Sequence, residues 1–347
     1  MVSLAVKASG LVTAVGFNAP ATLAAMRAGL SGVKESHLWH AASGQRLKAA
    51  KVALPQWWEG LGKLAELVAP AIGECLAAAA PAPADSIPLL LCVAETSRPF
   101  RPQGMEQHLV AEVESRLEVR FHPATQLIAH GQASIAFALK EAQRILSTQR
   151  VACCIVAGVD SLLNPRTVRE FVHRRRVLAP DNSNGFIPGE AGGAVLVVPA
   201  GRQREGELRL LGLGTAQEKA TVYSEEPLRG NGLTSAVKDA LNAASLTLFD
   251  VAWRITDLNG EHYKFKEAAF VAARLQRKPK NVPFDMWHPG EYLGEVGAAV
   301  GPCVLAWALH VGQKRYAPGE VALCHFGSDE GERAALVVKY EERSSPR

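Results

Sequence analysis

The stretch Leu127-Ile-Ala-His-Gly-Gln-Ala-Ser-Ile-Ala-Phe-Ala-Leu-Lys-Glu-Ala-Gln-Arg-Ile-Leu146 narrows the possible folds more than any other part of the chain. Its apolar residues recur at helical spacing behind an opening of small residues, so it reads as a buried helix entered through a tight turn. A strand-like approach precedes it, and Val151-Ala-Cys-Cys-Ile-Val-Ala-Gly158 behind it reads as a buried strand. Strand, turn and buried helix together make a place to build a site. The N–H groups at a helix start have no intrahelical partner, so they can bind a carbonyl or an anion.

Short apolar runs and helical stretches alternate along the rest of the chain. Leu4 to Val15 reads as a strand, and Asn18 and Pro20 are a cap and an early-helix proline for a helix from Ala21 to Ala28. A polar, Trp-containing segment comes next, then a helix from Gln56 to Ala80, a strand buried on both faces from Pro88 to Ala94 and a helix from Met105 to Leu117. Beyond the central unit come Asp160 to Pro165, a basic helix carrying Arg174-Arg-Arg176, and a glycine-rich turn from Gly185 to Gly193 that runs into a strand. Arg202 to Glu207 is charged and reads as a linker. A second series lies beyond it, with strands at Leu208–Gly214, Val251–Leu258, Val321–Gly327 and Ala334–Lys339 and helices at Thr234–Ala244, Phe265–Leu275 and Leu293–Val311. This order predicts a layered α/β protein of two halves, 1–201 and 207–347, with helices buried between sheets.

A formal charge of +4 against 38 basic and 34 acidic residues points to neither nucleic acid nor an anionic membrane surface. No apolar run is long enough to span a bilayer and the first residues lack a signal-like pattern, so the expected location is the cytoplasm. Cys75, Cys92, Cys153, Cys154, Cys303 and Cys324 fall mostly inside apolar runs, as reduced, buried thiols do. Gly212-Leu-Gly214 lacks the third glycine of a dinucleotide fingerprint, and no cofactor is implied. His288, Glu291 and Glu295 invite a metal, but a third well-spaced ligand is missing and none is expected; a helix starting at Glu291 would put both carboxylates on one face.

Four stretches in order resemble the β-ketoacyl-acyl carrier protein synthases of the thiolase superfamily. They are Ser9-Gly-Leu-Val-Thr-Ala-Val-Gly16, the central unit with Ala157-Gly-Val-Asp-Ser161, Asn184-Gly-Phe-Ile-Pro-Gly-Glu-Ala-Gly-Gly-Ala194, and the set Asp257-Leu-Asn-Gly260, Gly297-Ala-Ala299 and His325-Phe-Gly327. The resemblance implies a thiolase-like fold of two similar halves in a layered αβαβα arrangement. It also implies a cysteine at the start of the buried helix, two histidines from the C-terminal half and a backbone oxyanion hole. Counted back from Ala142-Gln-Arg144, Gln132 stands in the cysteine's place; a one-residue slip would put Gly131 there, and neither is a nucleophile. Gly131-Gln-Ala133 also resembles the equivalent turn of chain-length-factor subunits, which pair with an active ketosynthase. Asn259 takes the place of the first histidine, Gly294 that of the second with Glu295 beside it, and Pro289 falls near the family's lysine.

Set against the resemblance, the changed positions together count against Claisen condensation, although an asparagine in the first histidine's place could still donate a hydrogen bond to a thioester carbonyl. The main-chain N–H groups of Gln132 and of the Phe326-Gly327 turn would still be available as oxyanion donors. The expected role is a non-condensing subunit or scaffold that binds acyl groups or a partner, with acyl-carrier protein or acyl-coenzyme A as ligands. It would work as a homodimer, or as a heterodimer with an intact synthase, with Val151 to Gly158 pairing across the two-fold. The alternative is an acyltransferase, decarboxylase or hydrolase of acyl thioesters that uses His130, Asn259 and Glu291 or Glu295. Gln132 is then either a gate or amide mimic in the oxyanion hole, or simply a satisfied buried amide.

Overall fold

In the computed structural model the first half runs β1 (Leu4–Val12), α1 (Ala19–Arg27), β2 (Val33–His40), β3 (Gln45–Ala50), α2 (Gly60–Ala79), β4 (Leu89–Cys92), α3 (Met105–Leu117), β5 (Gln126–Ile128), α4 (Ser134–Thr148), β6 (Cys154–Ser161), α5 (Pro165–His173) and β7 (Glu190–Pro199). The second half runs β8 (Glu207–Gln217), α6 (Asn231–Ala243), β9 (Trp253–Thr256), α7 (His262–Leu275), β10 (Met286–Trp287), α8 (Gly290–Leu293), α9 (Val300–Gln313), β11 (Val321–Gly327) and β12 (Glu332–Glu341). Residues 2–201, 206–276 and 284–342 are described. Positions 202–205 of the expected linker therefore lie outside the described residues, and Glu207 opens β8.

From β1 outward the order β1-β7-β6-β4-β5 pairs antiparallel, antiparallel, parallel, parallel. From β8 outward the order β8-β12-β11-β9-β10 repeats the same sequence of directions. β1 and β8 join the two sets antiparallel over Leu4–Val6. The expectation that the strand after the central helix pairs across a two-fold is overturned. β6 is taken on one edge by β4 and on the other by β7, so among the described residues the strand whose outer edge is left unpaired at that end of the sheet is β5.

One face of both strand sets packs on α4 and α9, the outer face of the first set on α2 and α3, and that of the second on α6. α9 has sheet on two sides and α4 beside it, which is why it is apolar around nearly its whole circumference; a helix with only one buried face needs just a stripe. Gly301 of α9 sits directly against Ile135 of α4, where a β-carbon would collide with that side chain. The long helix expected from Leu293 to Val311 begins only at Val300: α8 stops at Leu293, Gly294 turns with φ +67°, and a 3-10 turn at Gly297–Ala299 precedes α9. The Trp-containing segment forms the β2–β3 hairpin, with Leu38, Leu47 and Ala49 facing inward.

Candidate functional site

Two helix entrances meet at the centre of the molecule. α4 is preceded by a 3-10 turn at Gly131–Ala133 and α9 by one at Gly297–Ala299, and both glycines have φ of +52°. In each case glycine is required twice over, by the left-handed backbone and by a carboxylate behind it: Glu95 behind Gly131 and Asp160 behind Gly297. The buried Arg98 ties these two acids together, with Nε and Nη2 donating to Glu95 at 2.8 and 2.9 Å and Nη1 to Asp160 Oδ2 at 3.2 Å. Asp160 Oδ2 also accepts the Ala298 N–H at 3.3 Å. A single ion cluster thus braces both turns.

In front of the turns, Gln132, Asn259 and Glu295 come together as the motif positions suggested. Glu295 is 5% exposed and Gln132 4%. Glu295 Oε1 accepts from Gly297 N at 2.8 Å and from Gln132 Nε2 at 3.3 Å, and Oε2 accepts from Asn259 Nδ2 at 2.6 Å. Gln132 Oε1 is buried and accepts nothing, so the amide is only half satisfied. Asn259 is held in turn by Glu261: its Nδ2 donates to Glu261 Oε2 at 3.1 Å and its Oδ1 accepts the Glu261 N–H at 3.1 Å. Burial raises the pKa of the Glu295 carboxyl; nearby Lys264 and the Asn259 bond oppose that rise. No thiol, hydroxyl or amine belongs to this trio, and apart from Gln132 Oε1 its side chains bond to one another, to Glu261 and to the Gly297 N–H. Such an arrangement holds shape and can accommodate a proton on Glu295, but it offers no nucleophile for a thioester.

The Phe326-Gly327 turn does not supply the free N–H expected of it. Gly327 N donates to Asp257 Oδ2 at 2.9 Å, and the same oxygen takes Lys264 Nζ at 2.5 Å, so the side chain of Asp257 fills the place an oxyanion would need. Burial works against the charge on Lys264, but Asp257 and Glu295 outweigh it and the ammonium is retained.

The structure leaves the other two substitute candidates outside the trio. His130 stacks on Phe137 with ring centroids 4.2 Å apart and points Nδ1 at Glu332 Oε1, 3.4 Å away. Glu291 is exposed and meets His288 Nε2 at 3.0 Å; because α8 ends at Leu293 and Gly294 reverses the chain, it does not share a helix face with Glu295 as expected. Among the described residues no group of three His, Cys, Asp or Glu is arranged to hold a metal.

The basic helix does not carry Arg174-Arg-Arg176 as expected: α5 ends at His173, Arg174 and Arg175 are exposed, and Arg176 turns inward, 6% exposed. Arg176 grips Glu261 through Nε and Nη2 at 2.6 and 2.7 Å, and its Nη1 donates to Asp329 at 2.6 Å. Burial would raise the Asp329 carboxyl, but Arg176 holds it down at about 2. Lys264, Arg98, Glu95 and Arg176 were not anticipated as site residues. Their only signal is a charged residue inside or beside an apolar run, which becomes informative once burial is known.

Residues 122–201 match the model of the β-ketoacyl synthase, N-terminal domain. No curated protein matches the chain. Among solved structures, a ketosynthase in complex with its chain length factor from Xenorhabdus doucetiae aligns with TM-score 0.73 at 13% identity, covering 98% of both chains. The ishigamide ketosynthase/chain length factor aligns with TM-score 0.71 at 19% identity, covering 98% of this chain and 99% of that one. A type II polyketide synthase acyl-carrier protein in complex with its ketosynthase bound to the hexaketide aligns with TM-score 0.79 at 13% identity over 98% and 99% of the two chains. With its paired five-strand sets around two buried helices, the chain has a thiolase-like fold, shared with these ketosynthases, and residues 122–201 carry the similarity in sequence.

Proposed function

We propose that this chain is a non-catalytic, ketosynthase-like subunit that binds acyl groups or a partner protein and does not itself carry out Claisen condensation. The reading is supported by one observation: Gln132, which the resemblance puts in the nucleophile's place, is hydrogen-bonded to Glu295, which is hydrogen-bonded to Asn259, and none of the three can form a thioester. We read 1–201 and 207–347 as its two thiolase-like halves. Neighbours of similar fold are complexes of a ketosynthase with a chain length factor or an acyl-carrier protein, which supports an intact ketosynthase or a carrier protein as the partner here. The unpaired outer edge of β5 is a suitable seat for a partner strand, since a strand edge left open in solution invites pairing.

The test is turnover. Incubated with malonyl- and acyl-coenzyme A or their carrier-protein thioesters, the protein should release neither carbon dioxide nor free thiol above the spontaneous rate. A second reading, a decarboxylase or hydrolase of acyl thioesters, draws on Glu295, whose raised pKa suits a proton donor. Turnover that disappears in Glu295→Gln would replace the first reading with this one.

A further inference from the structure

A pocket of about 300 Å³ enters the second half between the C-terminal end of α9, the 315–320 loop, the start of β8 and the end of β12. Its floor is Leu208, Trp253, Ala308, Ala322 and Val338, each 2–3% exposed and all part of the central core. The trio stands at the other end of the same elements. Trp253 opens β9 whereas Asn259 follows its end, and Glu295 lies just before α9 whereas Gly312 is near its last residue. From Val300 to Gly312 the helix rises roughly 18 Å, so the pocket shares no wall with the trio.

The walls are held in place from behind. A β-carbon at Gly312 would run into the Tyr340 ring, so that ring sits directly against the α9 backbone. Trp253 is backed by Trp287 with ring centroids 4.8 Å apart, and Trp287 stacks on Trp307 at 5.2 Å. The Trp253 indole N–H is spent on Gly319 O at 3.1 Å. A hollow built this way does not collapse, and its lining lacks dispersion contacts until a guest fills it.

Charge decides which guest. Three charged residues line the pocket, and each already has a partner. Arg315 Nε meets Glu342 Oε1 at 3.1 Å, and Glu320 Oε2 takes Lys339 Nζ at 2.9 Å, with Glu341 a further 3.8 Å contact of the same lysine. All three stand at the mouth, their side chains 76%, 58% and 78% exposed for Arg315, Glu342 and Glu320. The floor carries no charge, so an ionised group brought inward would lose water and gain no counter-ion.

We propose that this pocket is a binding site, separate from the Gln132 trio, for a neutral, apolar compound about two fused rings in size, packed against Trp253 and Tyr340. An apolar cavity of about 150 Å³ holds one benzene, so twice that volume has room for a bicyclic body. Binding here does not depend on whether the trio is catalytic.

The experiment titrates the full chain with indane, indane-2-carboxylate and 2-aminoindane, a neutral, an anionic and a cationic probe built on one ring system. Calorimetry and tryptophan fluorescence follow the binding. Indane should bind saturably and change the tryptophan emission, and both ions should bind at least about tenfold more weakly. Ala317→Phe places a ring in the pocket from its loop and should abolish indane binding at an unchanged thermal midpoint. Should that midpoint fall, Ala317→Leu fills less of the space and should weaken indane about tenfold in a folded chain. No saturable indane binding, an ion that binds as tightly as indane, or an indane affinity unmoved by the folded Ala317 variant would each overturn the proposal.

Discussion

Replacing Arg176 with methionine keeps most of the apolar volume of the side chain and removes a guanidinium that is 6% exposed. The lost bonds are those to Glu261 at 2.6 and 2.7 Å, to Asp329 at 2.6 Å and to the Tyr223 hydroxyl at 2.8 Å. The buried Glu261 and the partly buried Asp329 would then face each other with no cation between them, and breaking a buried pair from one side costs about 3–5 kcal/mol. The cost should depend on pH with a definite sign. Arg176 holds the Asp329 carboxyl at about 2 in the folded chain. A carboxyl depressed in this way stabilises the fold above its unfolded value of about 4, and the contribution is lost as pH falls through the folded value. The gap between wild type and Arg176→Met should therefore be full at neutral pH and should narrow as pH falls from about 4 toward about 2. Urea unfolding followed by circular dichroism measures the gap, with Arg175→Met as comparison: that guanidinium is 65% exposed and lies 3.8 Å from Asp181, and its loss should change stability by less than about 0.5 kcal/mol. Equal losses in the two variants, or a gap that does not change with pH, would refute the account of this network.

The same geometry gives three more expected outcomes. Gly294→His restores the family's histidine by motif but demands φ of +67° from a bulky residue whose β-carbon would lie 2.7 Å from Ile187 O; it should cost roughly 1–3 kcal/mol or more and give no condensing activity even when combined with Gln132→Cys, as thermal melts and a condensation assay would tell. The raised carboxyl of Glu295 is penalised on ionisation, so it makes wild-type stability fall as pH rises from its unfolded value of about 4 until the folded pKa is passed; Glu295→Gln should lack that slope when the two are compared by urea unfolding across pH. Burial pushes the pKa of His325 down to about 4, so stability should fall as pH drops from about 6.5 to that value, and an NMR titration should find its ring unprotonated at pH 6.

Much of this fold is legible from periodicity because the relevant elements are buried in simple ways. The helix Met105–Leu117 has the predicted ends, and the Asn18 cap accepts the Ala21 N–H at 2.8 Å as its sequence position implies. Where periodicity misleads, tertiary contacts decide. Val151 to Cys153 is as apolar as the residues after it, yet pairing begins only at Cys154, where β7 lies alongside and the Ile155 N–H reaches Pro88 O at 2.9 Å. Leu293 to Val311 is one apolar run, and nothing local in it signals that Gly294 must reverse the chain to bring Glu295 to Gln132. The trio itself was readable from motif positions in the central unit and the C-terminal half. What occupies the Gly327 N–H was not, because Asp257 lies 70 residues away and only the fold brings it there. The same holds for Arg176 and Glu261, which are 85 residues apart.

The central claim is that the position of the nucleophile holds an amide locked into a polar trio and cannot take an acyl group. Intact mass of the purified protein after incubation with acyl-coenzyme A and acyl-carrier-protein donors tests it directly. The account predicts an unchanged mass with every donor. An acyl adduct, mapped by peptide mass to the Gln132 turn or to any residue of the trio, would contradict it.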